Sequence, residues 1–372
     1  MASRTMISPF IIDTPRSVLE RIMAKVRGTR IGYAPADDGA WKYGTDAKLL
    51  RELVAYWGTG YDWRAQEAKL NRWPQFRARI DGLDIHFIHV RGNGSKRLPL
   101  LLTHGWPGSV VEFQVALGLL NAQGYDVVVP SLPGHGWSQR PATPIGPRRV
   151  AELWCKLMTE ALGYAKFGAQ GGDWGSAVTA YLGAEHADAV AAIHLNLFMG
   201  PPAGPEDDDD SIAYRKQVQK LYAAESAYMF QQQSKPQTLG LALHDNPIGW
   251  ASWVIEKFHG WGDTKGDVLG RFSMDVLITN LMTYLVNDAV ISSFWMYYGA
   301  RSEKPFRGRV EVPTGLALYP AEFFPYPGRR DAERVYNVQG WAEMEAGGHF
   351  AALEEPEAFA ENVGEFFSAF RG

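Results

Sequence analysis

A single cysteine, Cys155, stands in the 372 residues, so no disulfide can form within the chain, which fits a reducing compartment. An excess of one charge is lacking too. Lys and Arg number 37 against 41 Asp and Glu, a formal charge of -4, without the basic surplus that nucleic-acid binding calls for. No apolar run approaches the ~18 residues of a transmembrane helix. The first thirteen residues break their apolar stretch at Ser8, Pro9 and Asp13, too early for a signal peptide. Internal repeats, phosphate-binding glycine loops, dinucleotide fingerprints and zinc-ligand spacings are also missing, and no cofactor or metal is expected. The expectation is a soluble, cytoplasmic protein without nucleic-acid or membrane partners.

What is present is an ordinary globular balance, 46% hydrophobic and 21% charged, which excludes a disordered or collagen-like chain. The 13 tryptophans suffice for a large core and an aromatic-lined cavity. Residues 14–80 read as helical and then turn-like: Leu49, Leu50, Leu53, Val54 and Trp57 recur at helical spacing before Gly58 and Gly60. A hairpin follows around Asp81-Gly82. From about residue 98, short apolar strands (98–103, 125–129, 165–169, 189–197) alternate with helices (108–122, 148–162, and one beginning at Ser176), the pattern of a parallel sheet covered on both faces. Residues 200–304 interrupt it with helical text, including a helix from Asn246-Pro247 to Gly260 and another from Asp288 to Gly299. The acidic run from Glu206 to Asp210 reads as a solvated loop at that boundary. Strands resume at 310–318 and 341–344, and a last helix runs from about 356 to 370. The fold class is α/β.

The strongest chemical signal is Gly171-Gly172-Asp173-Trp174-Gly175 between a strand and a helix. It has the Gly-x-nucleophile-x-Gly form of a nucleophile elbow, in which a sharp turn tolerates only small neighbours. Aspartate stands where esterases carry serine, and that changes the chemistry. A carboxylate is ionised at neutral pH and can displace a leaving group at a saturated carbon without a base. The product is an alkyl ester, which water can hydrolyse through an oxyanion, whereas serine would leave an inert ether. The substrate should therefore be an epoxide or an alkyl halide. The oxyanion donors are expected to be the backbone N–H groups of Trp174 and of Trp106 in His104-Gly105-Trp106-Pro107-Gly108. In the chain order nucleophile, acid, histidine, the base is His349 in Gly347-Gly348-His349-Phe350, and Glu322 in Tyr319-Pro320-Ala321-Glu322 orients it. Other candidates weigh less. His86 and His89 lie three apart on a strand and face opposite sides, and Cys155 reads as a packing residue.

These residues resemble the microsomal-type epoxide hydrolases over essentially the whole chain. The likeness includes the N-terminal stretches Trp41-Lys42-Tyr43-Gly44, Tyr61-Asp62-Trp63-Arg64 and Ile85-His86-Phe87-Ile88-His89, which haloalkane dehalogenases lack. The resemblance implies an α/β-hydrolase fold with an N-terminal segment (1–90), a first core part (91–199), a helical lid (200–304) and a second core part (305–372). It implies Asp173, Glu322 and His349 as the triad. It adds two lid tyrosines that protonate the epoxide oxygen: Tyr228, in Ser226-Ala227-Tyr228-Met229, and Tyr297, in Phe294-Trp295-Met296-Tyr297, with Tyr298 as the alternative. The mammalian members carry a membrane anchor that is not seen here. The expected activity is conversion of an apolar epoxide and water to a diol, in detoxification or aromatic hydrocarbon catabolism. The rivals are a haloalkane dehalogenase with the same triad and a non-catalytic binding protein. Monomer and homodimer both stay open.

Overall fold

The structure, a computed structural model, describes residues 6–93, 98–198, 208–304, 306 and 308–370. Among these, nine strands form one sheet: β1 (Ile7–Phe10), β2 (Gln75–Ile80), β3 (Leu83–Val90), β4 (Leu100–Thr103), β5 (Val127–Pro130), β6 (Phe167–Gly171), β7 (Val190–Leu195), β8 (Val310–Leu318) and β9 (Tyr336–Glu343). Their spatial order is β1-β2-β3-β5-β4-β6-β7-β8-β9. From β5 to β9 every pairing is parallel, while β1, β2, β3 and β5 pair antiparallel. Buried on both faces, the central strands β4 and β5 read Leu-Leu-Leu-Thr and Val-Val-Val-Pro with no polar alternation. The sheet is continuous across residue 90. The last strands of the 1–90 segment are edge strands of the core sheet, and 75–80 is a strand where the sequence reads as a turn.

Among the described residues, eight helices between β7 and β8, from Asp209–Glu225 to Trp295–Ser302, cover the carboxyl edge of the sheet. Residues 201–207, with the first part of the acidic run, lie outside the described residues. The rest of the run is not a loop. Asp208 caps the helix Asp209–Glu225 by accepting from Ser211 N at 3.1 Å, and Asp209 and Asp210 occupy its first turn, where negative charge faces the positive end of the helix dipole.

The N-terminal helices Arg16–Gly28, Ala47–Thr59 and Trp63–Leu70 join the lid to the sheet. Asp46 and Asp62 cap the second and third by accepting backbone N–H groups. The helix 47–59 buries Leu50, Leu53 and Trp57, the periodic face read from the sequence. Its polar side reaches the lid helix Met274–Leu285. Tyr56 Oη donates to Asp275 Oδ1 at 2.8 Å, Gln66 Nε2 donates to Asp275 Oδ2 at 3.1 Å, and Tyr61 and Thr279 share a hydrogen bond of 3.1 Å. Trp41 stacks on His259 at 4.0 Å.

Several helix limits differ from the sequence reading. The segment 108–122 is two pieces, a 3-10 turn Val110–Phe113 capped by Ser109 and a helix Ala116–Ala122. The helix expected over 148–162 is Pro147–Lys156 followed by a wider turn, Leu157–Ala161. Gly260 lies inside the helix Pro247–Trp261, which ends at Gly262. The helix expected from Asp288 to Gly299 is split into Val290–Ser293 and Trp295–Ser302, with Gly299 inside the second. In each case tertiary packing extends or interrupts a helix against its local stop signal. His86 is buried with its ring bonded to Ser131 Oγ and Gln75 Oε1, and His89 is bonded to Tyr164 Oη. Cys155 is half-buried beside the second core cluster.

Trp57 is fully buried where the N-terminal helices meet the core. Trp57→Ala is expected to cost about 3–5 kcal/mol, read as a lower urea midpoint. An unchanged midpoint would mean that this segment adds nothing to folding stability.

Candidate active site

Three loops at the carboxyl ends of parallel strands deliver the expected residues to one place, the edge at which open α/β sheets hold their ligands. Asp173 follows β6, Glu322 follows β8 and His349 follows β9. The turn after β6 is tight. Asp173 has φ +48° and ψ -129°, a conformation that costs a non-glycine residue roughly 1–3 kcal/mol. A Cβ on Gly175 would fall 1.9 Å from Thr103 O, and one on Gly171 would fall 2.1 Å from Gly175 O. Glycine is therefore required for the helix Trp174–Glu185 to pack against β4, and that packing holds the strained residue in place.

His349 Nδ1 lies 3.0 Å from both Glu322 carboxylate oxygens, and its Nε2 lies 3.3 Å from Asp173 Oδ2. The Glu322 and His349 side chains are closed to solvent. Burial alone would lower the imidazole pKa, but the Glu322 and Asp173 carboxylates outweigh it and hold the value well above the ordinary one. The imidazole is thus a cation between two acceptors in the resting site.

The other Asp173 oxygen, Oδ1, accepts the Trp106 N–H at 2.8 Å. Trp174, the second expected donor, is the first residue of its helix, so its N–H is among those without an intrahelical acceptor. The Trp106 loop is held from both sides. His104 Nε2 accepts from Leu132 N at 3.1 Å, so Nδ1 carries the proton toward Gly105 O at 2.9 Å. From the lid, Asn280 Nδ2 donates to Pro107 O at 2.7 Å, Ser109 Oγ donates to Asn280 Oδ1 at 2.8 Å, and Tyr284 Oη donates to Gly108 O.

Tyr228 and Tyr297 come down from the lid with ring centroids 6.0 Å apart. Tyr228 stacks on Trp106 at 5.5 Å, and Tyr297 meets Trp174 edge to face at 4.8 Å. Burial first, then neighbouring charge that includes Asp173, keeps both phenols well above their usual pKa, so both carry protons at neutral pH. The two neighbouring tyrosines differ in exposure: Tyr297 is 4% exposed and Tyr298 is 46% exposed.

With this geometry in place, the comparisons with known proteins bear on the reaction class. Residues 7–113 match the family model described as "Epoxide hydrolase N terminus", and residues 99–234 match "alpha/beta hydrolase fold". The chain is 39% identical to a "Putative epoxide hydrolase" of Stigmatella aurantiaca, over 98% of this chain and 86% of that one. The chain belongs to the epoxide hydrolase family. It is also 32% identical to "Epoxide hydrolase 1" of Sus scrofa, over 97% of this chain and 88% of that one. The crystal structure of juvenile hormone epoxide hydrolase from Bombyx mori superposes with a TM-score of 0.89 at 28% identity, covering 98% of this chain and 95% of that one. The reaction class is accordingly hydrolysis of an epoxide, on an α/β-hydrolase fold.

Two contributors escaped the sequence reading. Glu354 accepts the N–H groups of Asp263 (2.7 Å), Gly348 (3.1 Å) and Phe350 (2.9 Å), which clamps both flanks of His349. Lys257 is buried, with its ammonium 4.8 Å above the Tyr228 ring and 5.5 Å from that of Trp261, a cation-π placement. A glutamate and a lysine in helical text read as solvated, and no local pattern marks them otherwise.

The cation in the resting site gives a direct prediction. Asp173→Asn removes one of the two charges that raise the His349 pKa, so that pKa should fall, read from ring-nitrogen NMR shifts across neutral pH. An imidazole that titrates identically in both proteins would exclude this coupling.

Proposed function

We propose that this epoxide hydrolase works through a covalent ester on Asp173, with His349 as base, Glu322 as the acid that orients it, Tyr228 and Tyr297 as proton donors, and the Trp106 and Trp174 amides as the oxyanion hole. The observation that carries the reading is the convergence of two buried phenols and one imidazole–carboxylate pair on a single strained carboxylate. With Oδ1 seated on the Trp106 N–H, Oδ2 is the attacking atom. It opens the ring while a phenol gives its proton to the epoxide oxygen, general acid catalysis worth about a hundred- to ten-thousand-fold.

Esterification then removes the Asp173 charge. The imidazole loses one of the two charges that hold its proton, its pKa falls, and it gives that proton up to the phenolate left by ring opening, which restores the phenol. The base is thereby produced by the step that precedes its use. Neutral His349 takes a proton from water, the hydroxide adds to the Asp173 carboxyl carbon, and the developing oxyanion stays on the Trp106 and Trp174 amides. Breakage of the ester C–O bond releases the diol, and one solvent oxygen remains in Asp173.

The aromatic walls contributed by Trp106, Trp261, Phe294 and Phe323 support a bulky apolar epoxide as substrate. The lone cysteine supports a cytoplasmic setting. Within the same reading we assign the enzyme to detoxification or aromatic hydrocarbon catabolism, acting without a membrane partner.

Intact-mass spectrometry of His349→Gln with a panel of aryl and alkyl epoxides tests the covalent step. A gain equal to one whole epoxide, absent when Asp173 is also changed to Asn, is expected; no adduct from any epoxide would overturn the mechanism. Tyr228→Phe combined with Tyr297→Phe should abolish epoxide opening. If that double variant still opened epoxides at the wild-type rate, the phenols would not be the acids; if it turned over alkyl halides freely, the site would be that of a dehalogenase.

A further inference from the structure

Beside Asp173, with neither lid phenol in its walls, lies a small cavity of about 20 Å³, room for one water molecule. Gly105, Gln170, Asp173 and His349 line it, and so does Glu112, which the mechanism above does not use. All its lining residues come from the core, so neither Tyr228 nor Tyr297 reaches it. Glu112 also lines a second cavity, of about 240 Å³, together with Gln66, Ser273 and Thr279. That cavity lies in the seam between the N-terminal helices, the lid and the core, with the exposed Lys69 and Val115 at its rim. Glu112, with Ala352 beside it, thus stands between the seam and the nucleophile.

The Glu112 carboxyl is set into the oxyanion loop itself. A Cβ on Gly108 would fall 1.5 Å from Glu112 Oε1, so glycine at 108 is what makes room for it. Burial pushes this carboxyl up to about 8, with smaller effects from His349 (lowering), Asp173 (raising), a Ser109 backbone N–H (lowering) and Glu354 (raising). At neutral pH it is mostly a neutral acid, able both to donate and to accept a hydrogen bond.

We propose that Glu112 is the positioning residue for the hydrolytic water, which it admits from the seam cavity and holds beside His349 and the Asp173 carboxyl carbon. The epoxide and the water then reach Asp173 from opposite sides, and the bound substrate does not block the second reactant. In the step it serves, an O–H bond of the water breaks, with its proton going to His349 Nε2, and the oxygen bonds to the Asp173 carboxyl carbon. The ester C–O bond then breaks, the diol oxygen takes the proton back from His349, and the water's second proton passes from the Asp173 carboxyl to His349, which restores the resting pair. Glu112 is unchanged at the end. The proposal rests on the covalent reading above.

Stopped-flow tryptophan fluorescence with styrene oxide as the probe separates ester formation from ester hydrolysis, since Trp106 and Trp174 flank the nucleophile. In Glu112→Ala, hydrolysis should slow at least about tenfold while ester formation stays within about twofold of wild type, so ester accumulates. Glu112→Gln, a neutral isostere of the protonated acid, should recover most of the hydrolysis rate. Equal slowing of both steps would mean that Glu112 only supports the fold of the loop, and unchanged hydrolysis in Glu112→Ala would remove its role; either result overturns the proposal. Absence of ester in every variant, including His349→Gln, would instead strike the covalent reading on which it stands.

Discussion

The seating of one carboxylate oxygen on one backbone amide, Asp173 Oδ1 on the Trp106 N–H, is the contact on which the rest of the site depends. In the proposed mechanism it decides which oxygen is free to attack and which is already where the oxyanion will form. Neither partner could keep its position alone. Asp173 is strained and stays so because Gly171 and Gly175 let helix 174–185 close against β4. Trp106 lies in a loop held by Asn280 and Tyr284 of the lid. The lid helix 274–285 is itself gripped by Tyr56 and Gln66 through Asp275. A hydrogen bond of ordinary length is therefore the meeting point of core, lid and N-terminal segment.

Around it, charge is arranged so that the site changes character during turnover. Two carboxylates share one buried imidazole, and an unpaired cation in that environment would be costly. In the proposed mechanism, loss of the Asp173 charge on esterification removes one of the two supports and turns a stabilising cation into a base. Lys257, paired with Glu256, lies above the Tyr228 ring, the phenol on which the proposed mechanism develops negative charge as the ring opens. The pattern is one of fixed groups whose roles are set by their neighbours, with no large motion required.

Much of this was legible in the sequence where geometry leaves few choices. The elbow was readable because a sharp strand-to-helix turn needs small residues at fixed offsets, and His349 and Glu322 because they follow the last two strands in order. The parallel sheet was readable because Leu100–Thr103 and Val127–Pro130 are apolar throughout. What escaped depends on three-dimensional neighbours. The break in 108–122 arises where Ser109 caps a single turn, and the break in 288–299 where packing outweighs local signals. Tyr297 and Tyr298 have the same chemistry and differ only in which way the helix turns them. Glu112, Lys257 and Glu354 look like solvent-facing charges in a string, and only the fold shows Lys257 and Glu354 buried and the Glu112 carboxyl set against the Gly108 loop.

The grip of helix 274–285 on the Trp106 loop divides the lid into parts of unequal freedom. That helix cannot swing away without taking the oxyanion donor with it, so it behaves as catalytic scaffold. The helices 209–225, 227–234 and 236–243 make no hydrogen bond to that loop among those described, and Tyr228 is the group they bring to the chemistry. An evolutionary or engineering search for new substrate preference can therefore rewrite much of the surface of 209–243 while the reactive centre stays assembled. A comparable change in 274–285 alters the reaction and the specificity together. The same covering layer is in one half a replaceable mould for the substrate and in the other a fixed part of the machine.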